Sequence, residues 1–375
     1  MDRPDSSQAR RVLITGLSSF LGGRLAALLE SDPAIEAIVG VDPEAPSREL
    51  ERTEFVRVGP EHGPIERIIE AARIDTVVDT RIALDPPQDR SGSSVHENNV
   101  IGTLNLLAAC SAADSPVRRL VFRSSGLIYG STGSDPGYFS ERSEPSGGGR
   151  SRIGKDLAEA EEAVAAFREH RPEVAVTVLR FADVLGPDVE SSMVRLLSLP
   201  VIPAIAGFDP RLQFVDQEDA AHALGHAVKV SPVGCFNVAG DGVLVLSEVA
   251  SLLGRRVAPV IPPVGPGLSF PVMRRLGLPM PDDLFDQLRF GRALDNRAFK
   301  ATGFHFRHTS REAVLGLRNH LRLDPVIRGA RDRFRYEPEV EEFLRRSPLV
   351  ETNPEGGGDR PVGPRGPAGG HPEPK

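Results

Sequence analysis

Gly16 and Gly22 frame the segment Thr15-Gly-Leu-Ser-Ser-Phe-Leu-Gly22, which follows the apolar run Val12-Leu-Ile14 and opens a stretch of helically spaced leucines. A strand that turns directly into a helix offers free backbone N–H groups and the positive end of the helix dipole to a pyrophosphate. Glycine is needed there because a Cβ would block either the tight turn or the approach of the phosphates. Ser19, Phe20 and Leu21 complete the candidate cradle, and the small Ser19 side chain carries a hydroxyl able to donate to a phosphate oxygen. Twenty residues beyond Gly22, Asp42 ends a second apolar run, Ile38-Val-Gly-Val41. A carboxylate at that place accepts from ribose hydroxyls and repels a 2′-phosphate, so the spacing points to NAD in preference to NADP. His222 and His226 lie four apart but lack the glutamate of His-Glu-x-x-His and a third ligand, so no metal site is expected.

These residues need a frame, and the chain alternates accordingly. Val12 to Ile14, Ile38 to Val41, Phe55 to Val58, Thr76 to Val78, Leu120 to Phe122 and Val174 to Leu179 are short runs of the kind buried in parallel sheets. Between them, Leu21/Leu25/Leu28/Leu29, Val100/Leu104/Leu107 and Leu157/Ala160/Val164/Phe167 mark helical faces. The alternation predicts an α/β fold, a doubly wound parallel sheet with helices on both faces. After Pro187 the alternation stops. The proline-rich stretch from Ala258 to Pro281, Phe285 to Phe290 and Thr302 to His308 suggest a small irregular lobe against the sheet's edge. The Gly/Ser/Pro-rich segment from Ser131 to Arg150 is expected to be a mobile loop.

Four segments, in this order, resemble the extended short-chain dehydrogenase/reductase family and its NAD-dependent epimerase/dehydratase branch. They are Arg11 to Gly22, Asn99-Val-Ile-Gly-Thr-Leu-Asn105, Leu120-Val-Phe-Arg-Ser-Ser-Gly-Leu-Ile-Tyr-Gly130 and Leu179-Arg-Phe-Ala-Asp-Val-Leu-Gly-Pro187. The resemblance spans Arg11 to about Val314. It implies a Rossmann fold with a smaller C-terminal substrate-binding lobe, NAD as cofactor, and hydride chemistry on a nucleotide sugar of the UDP-glucose 4-epimerase kind. It also implies a homodimer through the helices of Val100 and Leu157. Thr80, Arg81 and Asn99 fall at cofactor positions, with Arg81 near the pyrophosphate. Arg180, Phe181 and Arg211 fall on the substrate side, where the family segment matching Arg211 to Asp219 places an arginine on a diphosphate and an aspartate at the cap of the next helix.

The resemblance assigns catalysis to Tyr-x-x-x-Lys and an upstream serine. Ser125 matches the serine that orients the substrate oxygen, and Lys155 matches the lysine that lowers the tyrosine pKa and holds the nicotinamide ribose. Ser151 stands where the tyrosine is expected. An aliphatic hydroxyl is far more basic once ionised than a phenolate, and its reach is shorter, so Ser151 does not inherit the role directly. The chain has three tyrosines, Tyr129, Tyr138 and Tyr336; Tyr129 belongs to the Tyr-Gly strand end, and Tyr138 lies on the loop before Lys155. Asp156 and Asp183 are further candidates for moving a proton.

Composition limits the remaining choices. With 375 residues and 40% hydrophobic content, the chain suffices for one large domain and a smaller annex. Residues 1–10 and 349–375 are too poor in apolar residues to bury a core and are expected to be disordered tails, leaving a dinucleotide-binding part over 11–187 and a C-terminal part over 188–348. A net charge of -7 with mixed signs argues against nucleic acid as partner. Without an apolar run of membrane length or a signal-peptide pattern, and with Cys110 and Cys235 in apolar segments, a cytoplasmic protein without a transmembrane segment is expected. Paired charges from Arg328 to Arg346 read as a solvated helix. Two further readings stay open: a catalytically impaired dinucleotide-binding sensor or scaffold, and a reductase of a sterol or lipid-linked substrate received near Leu268 to Met280.

Overall fold

Inside the sheet, the β-branched and aliphatic runs of the first half form strands whose side chains are buried on both faces, as Val12, Leu13 and Ile14 are. The computed structural model describes residues 10–59, 62–85, 95–144, 151–260 and 282–323. The two tails beyond Arg10 and Leu323, Tyr336, the charged stretch from Arg328 to Arg346 and the Leu268 to Met280 segment lie outside them.

Strands β1 (Arg10–Thr15), β2 (Ile35–Asp42), β3 (Thr53–Arg57), β4 (Thr76–Asp79), β5 (Arg119–Ser125) and β6 (Ala175–Phe181) follow in chain order. Next come β7 (Asp183–Leu185), β8 (Val201–Ile205), β9 (Arg211–Leu212), β10 (Phe214–Asp216), β11 (Gly234–Val238), β12 (Leu244–Val245) and β13 (Arg256–Val260). Seven strands make one sheet in the order β11-β6-β5-β4-β1-β2-β3, all parallel. The sheet is the doubly wound Rossmann arrangement expected from the alternation. The third strand starts two residues before the apolar run Phe55 to Val58 and ends at Arg57; as the edge strand it has one neighbour, and its side chains are largely exposed.

Among the described residues the helices are α1 (Phe20–Glu30), α2 (His62–Ala71), α3 (Gly102–Cys110), α4 (Arg152–His170), α5 (Ser192–Leu197), α6 (Gln217–Val230), α7 (Leu246–Leu253), α8 (Asp282–Phe290), α9 (Arg297–Lys300) and α10 (Ser310–Leu323). A π-helical turn, Glu97–Ile101, leads into α3. One sheet face is covered by α1 and α6 through Leu21, Leu25, Leu29, Leu224 and Val228. The other is covered by α2, α3 and α4 through Ile65, Ile69, Leu107, Leu157, Val164 and Phe167. Of the apolar positions read as helical faces, Leu104 points outward and is 45% exposed.

The second half holds a separate core of Leu185, Met193, Leu197, Leu212, Phe214, Leu253, Leu288 and Leu317, built on the two-stranded pairs β7/β10, β9/β12 and β8/β13. Phe285 packs against that core. The aromatics of the Thr302 to His308 stretch do not join it: Phe304 and Phe306 gather on Phe299 over the α1/α6 face. Within the Ser131 to Arg150 segment, Phe139 is buried, stacks on Tyr129 with ring centroids 5.0 Å apart, and exchanges backbone hydrogen bonds with Ala293 and Asp295. This part of the loop is fastened to the sheet rather than lying free on its surface.

Candidate functional site

Neighbouring strands β1 and β4 stay paired to their C-terminal ends, beyond which the chain leads from β1 to β2 on one side and from β4 to β5 on the other. Such a switch point opens a crevice. Gly16 stands at its floor with φ +81°, the left-handed region that favours glycine. A Cβ on Gly22 would lie 2.1 Å from the Gly16 carbonyl oxygen, so the close approach of α1 to β1 requires glycine there.

Ser19 is the N-cap of α1. Its Oγ accepts from the Gly22 N–H at 3.0 Å and lies 3.2 Å from Thr80 Oγ1. Thr80 Oγ1 itself donates to the Thr15 carbonyl at 2.8 Å, so the Ser19 proton goes to Thr80. The hydroxyl expected to reach a phosphate is thus occupied within the protein. The N–H groups of Phe20 and Leu21, by contrast, have no acceptor among the described residues and open onto the cleft. Asp42 is buried at the end of β2, where Oδ2 accepts from Ser18 N at 3.1 Å and Oδ1 from Glu44 N at 3.0 Å. An ionised carboxylate has about four acceptor positions, so two remain for hydroxyl groups.

Arg81 is drawn back from the pyrophosphate position. Its Nε and Nη2 lie 2.9 and 2.8 Å from the Asp79 carboxylate, and Nη2 also donates to the Gly102 carbonyl at 3.0 Å. Its Nη1 is buried without an acceptor, against the place a Gly102 Cβ would fill. Asn99, fully buried, clamps the backbone of Ala83: its Oδ1 accepts from Ala83 N at 2.9 Å and its Nδ2 donates to Ala83 O at 2.8 Å. It acts on the crevice by holding the loop after β4.

A cavity of about 340 Å³ runs from Ser19, Phe20 and Leu21 past Thr80 and Arg81 to Ser125, and on to Asp85, Arg123, Asp183 and Gln287. Ser125 is the N-cap of a short 3-10 turn, with Oγ accepting from Leu127 N at 3.2 Å. Ser151 does not line the cavity. It is buried and caps α4, Oγ accepting from Gly154 N at 2.9 Å. Lys155, one turn on, is exposed. Asp156 is buried and bound to His96, Oδ1 to Nδ1 at 2.7 Å. The Tyr129 hydroxyl donates to Asn237 Oδ1 and accepts from Arg180 Nη1, both at 2.8 Å, and burial pushes its pKa up to about 12. Tyr138 is 53% exposed.

The residues assigned to the substrate side are elsewhere. Arg180 is buried and bound by Glu161 of α4, which also accepts from Ser124. Although burial opposes it, the Glu161 hydrogen bond and charge hold the Arg180 pKa above its ordinary value. Phe181 belongs to the α1/α6 core. Arg211 is exposed on β9. None of the three lines the cavity. The α6 cap is Asp216, whose side chain accepts from Glu218 N at 2.8 Å; Asp219 instead accepts from the backbone of Arg307 and His308.

Sequence reasoning passed over Asp85, Arg123 and Gln287. Arg123, directly after the apolar Leu120-Val-Phe122 of β5, donates to the Ile82 carbonyl, and burial pushes its pKa down to about 10. A charge inside a buried strand was the readable signal. Asp85 joins the loop after β4 to the start of α5, accepting from Ser192 N at 2.9 Å and from the Ser192 hydroxyl. Asp183 accepts from Gln287 Nε2 at 2.5 Å; its burial raises its pKa, against the smaller opposing effects of Arg292 and that hydrogen bond. His222 donates to the Glu218 carbonyl and His226 meets Thr302 Oγ1 at 2.9 Å. Among the described residues no group of three His, Cys, Asp or Glu is placed to hold a metal, and no helix is long and apolar enough to cross a membrane.

Known proteins share this architecture. An uncharacterized protein of Mycobacterium tuberculosis (strain ATCC 25618 / H37Rv) is 35% identical over 326 residues, covering 84% of this chain and 85% of its own length. An uncharacterized protein of Mycobacterium bovis matches to the same extent. Among solved structures, the dTDP-glucose 4,6-dehydratase of Bacillus anthracis str. Ames in complex with NAD has a TM-score of 0.64 at 17% identity, covering 84% of this chain and 98% of that one. The UDP-glucuronic acid 4-epimerase of Bacillus cereus, in complex with UDP-glucuronic acid and NAD, has a TM-score of 0.65 at 15% identity, covering 84% and 99%. At these identities the likeness shows the fold. The model of the NAD dependent epimerase/dehydratase family matches residues 12–239, well over half of the sequence, and the chain belongs to that family.

Proposed function

We propose that the chain binds NAD, in preference to NADP, in the crevice above β1 and β4, and acts on a hydroxyl of a nucleotide sugar as an epimerase or dehydratase does. The observation that carries this reading is the glycine cradle: Gly22 packed on Gly16, with the Phe20 and Leu21 N–H groups left over at the helix N-terminus. Asp42 supports NAD, since its ionised carboxylate would repel a 2′-phosphate. The dehydratase and epimerase named above carry NAD in their crystals, and one of them a UDP-sugar. NAD supplies a hydride acceptor that returns the hydride after the carbon has been oxidised.

Within this reading the chain's own groups bind and orient. The α1 N-terminus holds the pyrophosphate, Asp42 the adenosine ribose, Ser125 the substrate oxygen and Lys155 the nicotinamide ribose. Arg81 acts indirectly, by fixing Asp79 and Gly102 around the loop. The C-terminal part from residue 188 closes over the substrate, and the exposed Ile101 and Leu104 beside α4 suit a homodimer in the cytoplasm.

A specific observation favours a second reading, a dinucleotide-binding sensor or scaffold: the side chain at the expected tyrosine position is a buried helix cap. Calorimetry with NAD and NADP, followed by assays with UDP-glucose and UDP-galactose before and after Ser151→Tyr, separates the two. Binding of NAD with turnover that rises in the variant supports the enzyme. Binding without turnover in either form supports the sensor, and no binding at about millimolar NAD, the upper end of ordinary affinities, removes both.

A further inference from the structure

Two buried side chains, Arg292 and Gln287, lead to the half-buried Asp183 in the wall of the cavity that Ser125 lines. Arg292 donates to the Gly130 carbonyl through Nη1 at 3.3 Å and to Gln287 Oε1 through Nη2 at 2.9 Å. Arg292 has no acceptor of its own, so the amide oxygen of Gln287 must face it, and the amide N–H must face Asp183 Oδ2, 2.5 Å away. Arg292 and Gln287 are 8% and 3% exposed. This fixes Oδ2 of Asp183, and Asp183 and Gln287 both line the cavity. Phe181, two residues earlier, is the register partner of Ser125 and the acceptor of its hydroxyl at 3.5 Å.

The other groups that could accept a proton are engaged or lie outside the cavity, and the lining carboxylates Glu190 and Asp283 have interactions of their own. Ser151 caps α4 and Tyr129 is locked between Asn237 and Arg180; neither lines the cavity, and nor does Asp156. Asp85 is spoken for twice by Ser192. We propose that Asp183 takes the proton of the substrate hydroxyl, with Gln287 and Arg292 as positioning residues. The proposal rests on the reading that NAD binds here. In the step, the O–H bond breaks with its proton passing to the Asp183 carboxylate. The C–H bond breaks with its electron pair passing as hydride to bound NAD, the oxidant, and the C–O bond becomes a carbonyl; the return step reverses both transfers. Burial brings the carboxyl nearer the proton affinity useful to a base at neutral pH. The charged groups around it are Asp85 from the loop after β4 and Arg292 from the segment after α8, with Arg123 of β5, Glu190 and Asp283 of α8 also lining the cavity.

The test compares the full chain with Asp183→Asn, which keeps an acceptor for Gln287, and with Asp183→Asn/Ser151→Tyr. NAD affinity is measured by calorimetry. Reduction of bound NAD is followed by NADH absorbance in a single turnover with UDP-glucose, UDP-galactose or UDP-glucuronic acid, from about pH 5 to 9. The difference infrared spectrum of the wild type against Asp183→Asn follows the carboxyl itself. Expected are unchanged NAD affinity, a carboxyl that titrates above the ordinary range, and a loss of rate of on the order of 10²-fold or more in Asp183→Asn with the rising limb of the pH profile gone. Partial recovery is expected when the tyrosine is added. A rate within about threefold of wild type, a retained limb, a carboxyl titrating in the ordinary range, or NAD that binds and stays oxidised with all three sugars overturns the assignment. Failure of NAD to bind the wild type overturns the reading beneath it as well, and calorimetry distinguishes that case.

Discussion

Ser151, at the position where the family resemblance places a tyrosine, has a structural task. Its φ and ψ of -85° and 146° are those of an N-cap, and its hydroxyl answers one of the orphan N–H groups of a nineteen-residue helix. Replacing it by alanine removes that acceptor and is expected to lower stability by about 1 kcal/mol, whereas glycine costs only a few tenths. The ordering is read from the midpoints of denaturant unfolding. Equal midpoints for wild type and Ser151→Ala would show that the cap is worth nothing and that the serine needs another explanation. The same scale shows which site residues were readable. Gly16 and Gly22 were, because the demand on them is local: a strand turning at once into a helix. Arg180 was not, because its partner Glu161 is nineteen positions away on α4, and only the packing of that helix on β6 turns an arginine at a strand end inward.

At the level of elements, the cleft depends on how the segment after β4 is held. The π-helical turn before α3 turns Asn99 toward Ala83, where both halves of its amide are used. Truncation by Asn99→Ala strands the Ala83 N–H and C=O together, a loss of about 1–3 kcal/mol for such groups when they stay shielded from water. Much of that cost is expected as local loosening, so hydrogen exchange should quicken at residues 82–85 and NAD affinity should fall, while the β1 and β2 amides keep their protection. Asn99→Asp, which keeps the acceptor and loses the donor, is expected to fall between. Uniform loss of protection across the sheet would instead make Asn99 a general core residue. Strand and helix order was legible because period and burial agree along the first half. Beyond Pro187, short strand pairs and single turns leave no period to read, so the sequence did not reveal that Phe304 packs under α6 while Leu288 serves a different core.

At the scale of the whole molecule, four carboxylates with displaced pKa values form two pairs with opposite effects on stability. Asp32, bound by Lys229 and the Ala34 N–H, and Asp241, bound by Asn296 and Lys300, have pKa values lowered by those hydrogen bonds. They contribute stability that is present above the unfolded pKa of about 4 and is lost as pH falls through their folded values. Asp183 and Asp216 have pKa values raised by burial. Between the unfolded pKa and the raised folded value the native state binds more protons than the unfolded chain, so stability declines as pH rises through that window. Above it the native state carries the full cost of an ionised, half-buried Asp183. Asp183→Asn removes that cost, so the variant is expected to melt at a higher temperature than wild type near pH 8, with the difference narrowing as pH is lowered toward 4. A site kept ready to accept a proton is thereby kept at the expense of the fold, the common relation between activity and stability. If the variant melts lower than wild type at pH 8, the ionised carboxylate is a net stabiliser through Arg292, and the pair is a structural ion pair instead of a proton acceptor held in reserve.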